Sequence, residues 1–526
     1  MTTAWAVVVT MLVLTAAGAL PVRMLAGWRP VTPFIAPIAG AILAGTAGAL
    51  TVLVDGTEIG WFVPLAIAVN AAASASWLAR RESRRSRAGP RPSPWLWAAG
   101  GVGVLAVAGA SAWSLKSLVR VDIGSQARSI WFAHATWISH GHGASLAALT
   151  NSGLAVAHAG YPPLGGSAVA LGWVITGVST DRVGEMVLAI LTGCAVAAGG
   201  ATILEVGMIA SARSRVKRAS LSRLSVVTFS AAVGVAWVLG AYGLAGAGAT
   251  DGSVDLLWSA AAVGAAGMGL VLPLGGEHAR AMAVLAVAAG LTKYEGIVAA
   301  VILFALVGAR WLVSSRVRSQ SSEAGPSRRR GLVAAMACAF GVAGVIAWPI
   351  AAAVRHATED DYLTGQRSGS FLTRADATSH AMGGQLHLAG LALLIGIASA
   401  IVLSGARRQL GFGSDAWIWV LGATELLVIA VAYVVGTNQA KSWLVASVGR
   451  TTLFAECLGL ALFAWWSVIG IALAIGPPGA SGSSRSSGSP VRPQRPQRLV
   501  EAADRVPRAE PRGVDAGAPA VLHPGP

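Results

Sequence analysis

The chain has 526 residues, of which 55% are hydrophobic and only 12% are charged, and its formal net charge is +16. Soluble domains carry charged residues at roughly twice that fraction, so this composition and the mean hydropathy of +0.65 exclude a soluble fold. The apolar residues fall into blocks of about 18–25, the length at which a helix crosses a bilayer core. The sequence has no repeated segments of roughly ten residues in which apolar and polar residues alternate, and this argues against a membrane β-barrel. We predict an all-α, polytopic transmembrane helical bundle.

The predicted elements are about 12 or 13 spans, which form one domain over residues 1–476. The first apolar block has no charged leader region, so we interpret it as a retained span rather than a signal peptide. The block at 280–292 is short, and we predict a half-span there that pairs with the next block. In chain order the predicted spans are 4–22, 31–54, 61–79, 95–117, 184–210, 222–247, 253–274, 280–292, 296–312, 331–353, 387–405, 414–436 and 450–475.

Basic residues cluster between the apolar blocks, and the predicted topology places every cluster on one side of the membrane. By the positive-inside rule that side is cytoplasmic, which indicates a multi-pass protein of the plasma membrane. Anionic lipid headgroups are the expected partners of these residues. No aromatic and basic surface accompanies the charge, which argues against a nucleic-acid partner. The clusters lie at 80–91, 213–223, 310–330 and 407–408.

Two long outer loops and a polar tail complete the predicted organisation. The loops cover residues 118–165 and 354–386, and the tail covers 477–526. The tail is rich in Pro, Ser, Gly, Ala and Arg, a composition typical of a disordered segment, and the topology makes it cytoplasmic. The weakly apolar stretch 166–178 is predicted to be an interfacial or re-entrant helix, because a full crossing would move the next basic cluster outside. An ordinary short span is the alternative.

The first outer loop holds most of the ionisable and aromatic side chains that suggest chemistry. Asp122 directly follows a span, at a depth where a carboxylate stays hydrated. Such a group can act as a general base toward a hydroxyl, although an aspartate there is also a common helix N-cap. Arg128 and His134 follow at intervals of six residues, which does not place the three on one helical face. His158 and Tyr161 lie near the end of the loop.

Further outer-side charges occur where apolar blocks meet. Lys293 and Glu295 separate two blocks, and ionisable residues at such positions are usually functional or interfacial. Lys293 can bind a phosphate as a point charge, or the two residues can simply end a helix as an ion pair. Arg450, before the last span, suits a lipid phosphate or can extend to the interface without a specific ligand. Asp251 and Asp255 stand in another short outer connection.

Two motifs resemble those of a known family. The run Ser129–His134 (Ser-Ile-Trp-Phe-Ala-His), Asn151 and the Tyr-Pro-Pro-Leu at 161–164 resemble the first periplasmic loop of GT-C type membrane glycosyltransferases. The Thr-Lys-Tyr-Glu-Gly at 292–296 is similar to the Thr-Lys-Asn-Glu-Gly element of bacterial, especially actinobacterial, members. The resemblance covers residues 122–164 and 291–296, with a similar arrangement of spans over 95–475.

The resemblance implies a transferase that moves a hexosyl or pentosyl group, with inversion, from a polyprenyl-phosphate donor. The acceptor would be a cell-envelope glycan, lipid or protein at the outer face. Asp122 matches the family's acidic residue, which serves as a general base or a metal ligand. The family often has two acids there, whereas this chain has Val121-Asp122, so a requirement for a divalent cation, Mg²⁺ or Mn²⁺, stays open. Lys293 and Arg450 are the implied phosphate-binding residues.

The substrate-binding prediction therefore comprises Arg128, His134, His158, Tyr161, Lys293, Glu295 and Arg450, with Asp122 as the catalytic residue. The alternative function is a transporter or flippase of a lipid-linked envelope precursor. A transporter should place ionisable residues near the middle of several spans. Here they concentrate at span ends and in outer loops, which favours surface chemistry, and Glu205 and Glu425 are the exceptions.

Overall fold

The computed structural model describes residues 2–54, 59–84, 94–118, 122–151, 154, 158–213, 220–273, 275–319, 325–357, 369–392, 394–396, 398–399, 412–436 and 440–475. Within these ranges every regular element is a helix, and no strand is present. The predicted tail at 477–526, the Arg407–Arg408 pair and residues 358–368 of the second outer loop lie outside them. The predicted span 387–405 is covered in part, and its residues 387–392 are helical.

The described helices agree closely with the apolar blocks. They are α1 (Thr3–Ala26), α2 (Thr32–Leu53), α3 (Phe62–Arg84), α4 (Pro94–Leu118), α5 (Ala133–Ser139, after a π-helical turn Ala127–Phe132), α6 (His142–Thr150), α7 (Leu164–Thr176), α8 (Asp181–Arg213), α9 (Ser220–Ala245), α10 (Asp255–Ala266, with a π-helical turn Gly267–Val271), α11 (Gly276–Thr292), α12 (Tyr294–Ser319), α13 (Gly325–Val354), α14 (Phe371–Gln385), α15 (Ala416–Val435), α16 (Ala440–Thr451) and α17 (Leu453–Ile475).

Nine helices in the described part of the chain are long and apolar enough to cross a membrane. They confirm the predicted all-α, polytopic bundle. Helix α11 has 17 residues, or about 25 Å at 1.5 Å per residue, and its N-terminus extends beyond the predicted half-span. Helix α7 has 13 residues and reaches only about 20 Å. That is shorter than a bilayer core of roughly 30 Å, in keeping with an interfacial or re-entrant helix.

Small residues allow the helices to approach closely. Gly18 of α1 lies against the Ala36 carbonyl of α2, and a Cβ atom at Gly40 of α2 would stand 1.9 Å from the Leu14 carbonyl oxygen. Such glycine contacts are the usual way in which membrane helices pack, since lipid supplies no hydrophobic force between them. The core is centred on α8, whose apolar stretch is 89% buried and which packs against α4, α9, α10 and α17.

Contacts between helix ends define two ends of the bundle. At the first, Gly124 after α4 donates its N–H to the Asp251 carbonyl before α10 at 2.9 Å. Tyr294, at the start of α12, donates its hydroxyl to the Gly160 carbonyl of the first loop at 2.8 Å. We call this the first-loop end. At the opposite end, called the Arg29 end, Arg29 between α1 and α2 contacts Glu205 near the end of α8. The predicted topology makes the first-loop end the outer one.

Candidate functional site

A cavity of about 580 Å³ opens at the first-loop end. Its volume lies within the range of roughly 300–1,000 Å³ that is typical of small-molecule sites. Four parts of the chain meet there: the start of the first loop, the α9–α10 connection, the end of α14 and the α16–α17 junction. The lining residues are Gly124, Ser125, Gln126, Leu244, Ala245, Gly248, Asp251, Ser253, Asp255, Gln385, Gly449, Arg450 and Leu453.

The α9–α10 connection forms a tight turn that positions Asp251. The Ser253 N–H donates to Asp251 Oδ1 at 2.9 Å, so the carboxylate is held by its own turn. Gly252 between them has a φ of +85°, a left-handed conformation that favours glycine because it has no Cβ atom. The Gly124 N–H donates to the Asp251 carbonyl, which fixes the turn to the first loop. The residues therefore form one rigid wall of the cavity.

Asp255 forms a second acidic part of the wall and is engaged in a buried ion pair. Lys293 Nζ donates to Asp255 Oδ1 at 2.7 Å and lies 3.2 Å from Glu295 Oε1. The side chains of Lys293 and Asp255 are only 10% and 7% exposed. Burial lowers the pKa of Lys293, but the neighbouring carboxylates of Asp255 and Glu295 raise it by more, so the ammonium stays charged at neutral pH.

Arg450 supplies positive charge to the cavity. It stands at the end of α16, one residue before the terminal Thr451, and its Nη1 donates to Gln126 Oε1 of the first loop. This contact joins the last two helices of the bundle to the loop that follows α4. A guanidinium offers several donors in a fixed plane and suits a phosphate ligand. The cavity therefore presents carboxylates on one side and a cation on another.

The other predicted polar residues of the first loop lie outside this cavity. Asp122 is exposed and precedes the lining residue Gly124 by two positions. Arg128 is 61% exposed, and its Nε lies 3.3 Å from Asp181 Oδ2 in a surface ion pair. Lys293 and Glu295 lie behind the cavity wall rather than on it, and Lys293 is paired with two carboxylates. Of the predicted set, only Arg450 lines the cavity.

The aromatic residues of the first loop form a packed cluster. Tyr161 stacks on His158 with ring centroids 4.6 Å apart, and it meets Tyr294 edge-on at 5.2 Å. His134 is buried and lies 5.1 Å from the Trp137 ring. His134 and Tyr161 line a second cavity of about 20 Å³, which is room for roughly one water molecule. The rings pack against one another, so this cluster shapes the first loop.

The described residues do not supply an obvious ligand set for a divalent cation. No group of three or more His, Cys, Asp or Glu side chains in the described ranges is arranged to bind a metal. Asp251 and Asp255 both line the cavity, but the second is the counter-ion of Lys293.

No protein-family model, no curated protein and no solved structure matches the chain. Function therefore has to be inferred from the residues and their geometry. Sequence reasoning noted Asp251 and Asp255 only as outer-side charges and missed Gln126 and Gln385 entirely. One feature of the sequence indicated this part of the cavity: two acids stand in a short connection between spans that also contains glycine. The sequence does not show that α14 and α16 end beside that connection.

Proposed function

We propose that the protein is a GT-C type membrane glycosyltransferase. It would move a hexosyl or pentosyl group, with inversion, from a polyprenyl-phosphate donor to a cell-envelope glycan, lipid or protein acceptor at the outer face of the plasma membrane. The observation that carries the proposal is the cavity at the first-loop end, where carboxylates and Arg450 line about 580 Å³ at the end of an otherwise apolar bundle.

The lining suits a substrate that is polar at one end and apolar at the other. Leu244, Ala245 and Leu453 contribute apolar surface from the ends of α9 and α17, next to the charged residues. A polyprenyl chain favours apolar helix surfaces, whereas its phosphate needs a cation at the level of the headgroups. Arg450 meets that need more directly than Lys293, because Arg450 lines the cavity and Lys293 does not.

The transfer itself requires few protein groups. The acceptor hydroxyl oxygen bonds to the anomeric carbon, the bond from that carbon to the phosphate oxygen breaks, and polyprenyl phosphate leaves with the electron pair. A carboxylate that takes the hydroxyl proton completes the balance and typically contributes a factor of about 10²–10⁴. The motif resemblance assigns this role to Asp122, which lies at the same end of the bundle as the cavity.

The test is a transfer assay on purified protein in lipid, with a panel of radiolabelled polyprenyl-phosphate sugars and envelope acceptors. We expect transfer by the wild type and a rise of about 10–100-fold in the donor KM for Arg450→Gln, since a hydrogen bond to a charged group is worth roughly 1.5–3 kcal/mol. Arg23→Gln is the matched control, because Arg23 packs over Trp28 at the Arg29 end. No transfer by the wild type with any donor would overturn the proposal.

One observation favours the alternative, a transporter or flippase of a lipid-linked precursor. Glu425 of α15 is fully buried within a predicted span, and neither of its carboxylate oxygens has a hydrogen-bond partner among the described residues. Ionisable residues inside spans commonly mark transport pathways. Proteoliposomes that move a fluorescent lipid-linked sugar across the bilayer, and lose this movement with Glu425→Gln, would favour transport.

A further inference from the structure

The two carboxylates that line the cavity differ in what they already bind. Asp255 is the counter-ion of Lys293, and a proton transferred to it would weaken a buried ion pair that also holds the α11–α12 junction. Asp251 forms no ion pair within the described structure, and its Oδ1 accepts a hydrogen bond from the Ser253 N–H. Its other oxygen is therefore the better proton acceptor at the cavity wall.

The position of that second oxygen is set by Gly124. A Cβ atom at Gly124 would lie 2.7 Å from Asp251 Oδ2, which is closer than real Cβ contacts occur. The absence of a side chain at Gly124 thus lets the Asp251 carboxylate rest against the start of the first loop. Both residues border the cavity that Arg450 also lines. The first loop therefore provides the space in which the Asp251 carboxylate lies. The same loop also carries Asp122, which is exposed.

We propose that Asp251 is the general base of the reaction. The inference rests on the proposed glycosyl transfer and names a residue that the motif resemblance does not. In the step, Asp251 Oδ2 takes the proton of the acceptor hydroxyl as its oxygen bonds to the anomeric carbon. The carbon–phosphate-oxygen bond breaks, and the phosphate departs with the electron pair toward Arg450. Oδ1 stays bound to the Ser253 N–H, which keeps the carboxylate oriented throughout.

The decisive variant is Asp251→Asn. Asparagine has the same shape, and its Oδ1 can still accept from the Ser253 N–H, so the turn should fold as in the wild type. It cannot take up the proton, and we expect kcat to fall by about a hundredfold or more while the donor KM changes little. Asp376→Asn is the matched control, because Asp376 is 73% exposed on α14 and should keep the wild-type kcat.

A second variant tests the geometry without removing the carboxylate. Gly124→Ala should displace Asp251 Oδ2 and lower kcat, with the donor KM again nearly unchanged. Asp122→Asn is measured alongside. If Asp251→Asn retains the wild-type kcat, or if the hundredfold loss occurs in Asp122→Asn instead, the assignment of Asp251 is wrong while the glycosyltransferase proposal stands. If the wild type transfers no sugar, the glycosyltransferase proposal fails, and the assignment of Asp251 fails with it.

Discussion

At the Arg29 end of the bundle, Glu205 Oε1 accepts a hydrogen bond from Arg29 Nη1 and lies 3.0 Å from His278 Nε2. Arg29 Nη2 also donates to Glu277 Oε2 at 2.7 Å. At the first-loop end, by contrast, Asp251 and Arg450 border an open cavity. Both ends bring acids and a guanidinium together. At the Arg29 end these side chains contact one another, whereas at the first-loop end they border a space that a ligand can occupy.

This difference between the two ends of the bundle bears on how a charged residue inside a span is interpreted. By position alone Glu205 suggests a transport pathway, since it lies within α8 and its side chain is 4% exposed. Its partners show a different use, because Arg29 comes from the α1–α2 junction and His278 from α11. The cluster joins three parts of the bundle. A buried charge whose side chain is held by protein partners, as that of Glu205 is, therefore does not by itself indicate a transport pathway.

The largest stability effect should come from the buried pair behind the cavity. Lys293→Met removes the ammonium and leaves the Asp255 carboxylate, which is 7% exposed, without its counter-ion. Removing one partner of a buried ion pair costs about 3–5 kcal/mol, and we expect a loss of that size in the free energy of unfolding measured in bicelles.

The matched control for this prediction is the double variant Lys293→Met with Asp255→Leu. It removes both charges of the pair and should recover part of the lost stability, because two apolar side chains replace the pair while Glu295 still loses its contact with Lys293. Asp255→Leu is measured as well, and losses of the two single variants that simply add in the double variant would show that the two residues are not energetically coupled. Lys293 would then be free to act on a ligand, as the sequence prediction has it.

The fold was largely predictable because span length is set by the bilayer. Helices α1, α2, α8 and α12 coincide with apolar blocks, and they end near the basic or polar residues that mark the membrane boundary. The predicted last span, 450–475, agrees with α17 (Leu453–Ile475) to within three residues, and the structure adds the separate helix α16 before it.

The site was less predictable, because its residues come from parts of the chain that are far apart. Arg450 meets Gln126 across more than 300 positions, and no local pattern links them. The motif resemblance drew attention to Arg128 and His134, whose side chains lie in a surface pair and in the aromatic cluster. The sequence directed attention to the first loop, and a cavity lies at that end of the bundle, but only tertiary contacts show which carboxylates line it.

A smaller effect is expected at the Arg29 end. Glu205→Gln keeps the size of the side chain but removes the charge that Arg29 contacts. Arg29 is 20% exposed and retains Glu277, so we expect a loss of about 1–2 kcal/mol rather than the full cost of an isolated buried charge. The kcat of transfer by the folded protein should not change, because the cavity is at the other end. A variant of wild-type stability but with impaired transfer would contradict this division between the two ends.

The smallest effect is expected for Glu277→Gln, in the same cluster. Glu277 also pairs with Arg29, at 2.7 Å, but its side chain is 44% exposed, against 4% for Glu205. Water screens the exposed pair, so its loss should cost about 0–1 kcal/mol. Added salt should reduce the loss of stability caused by Glu277→Gln still further. The loss caused by Glu205→Gln should persist, because the buried contact is screened much less. The free energy of unfolding, measured for both variants at low and at high ionic strength, distinguishes the two effects. Equal losses of stability for Glu205→Gln and Glu277→Gln would show that burial does not determine the strength of these ion pairs.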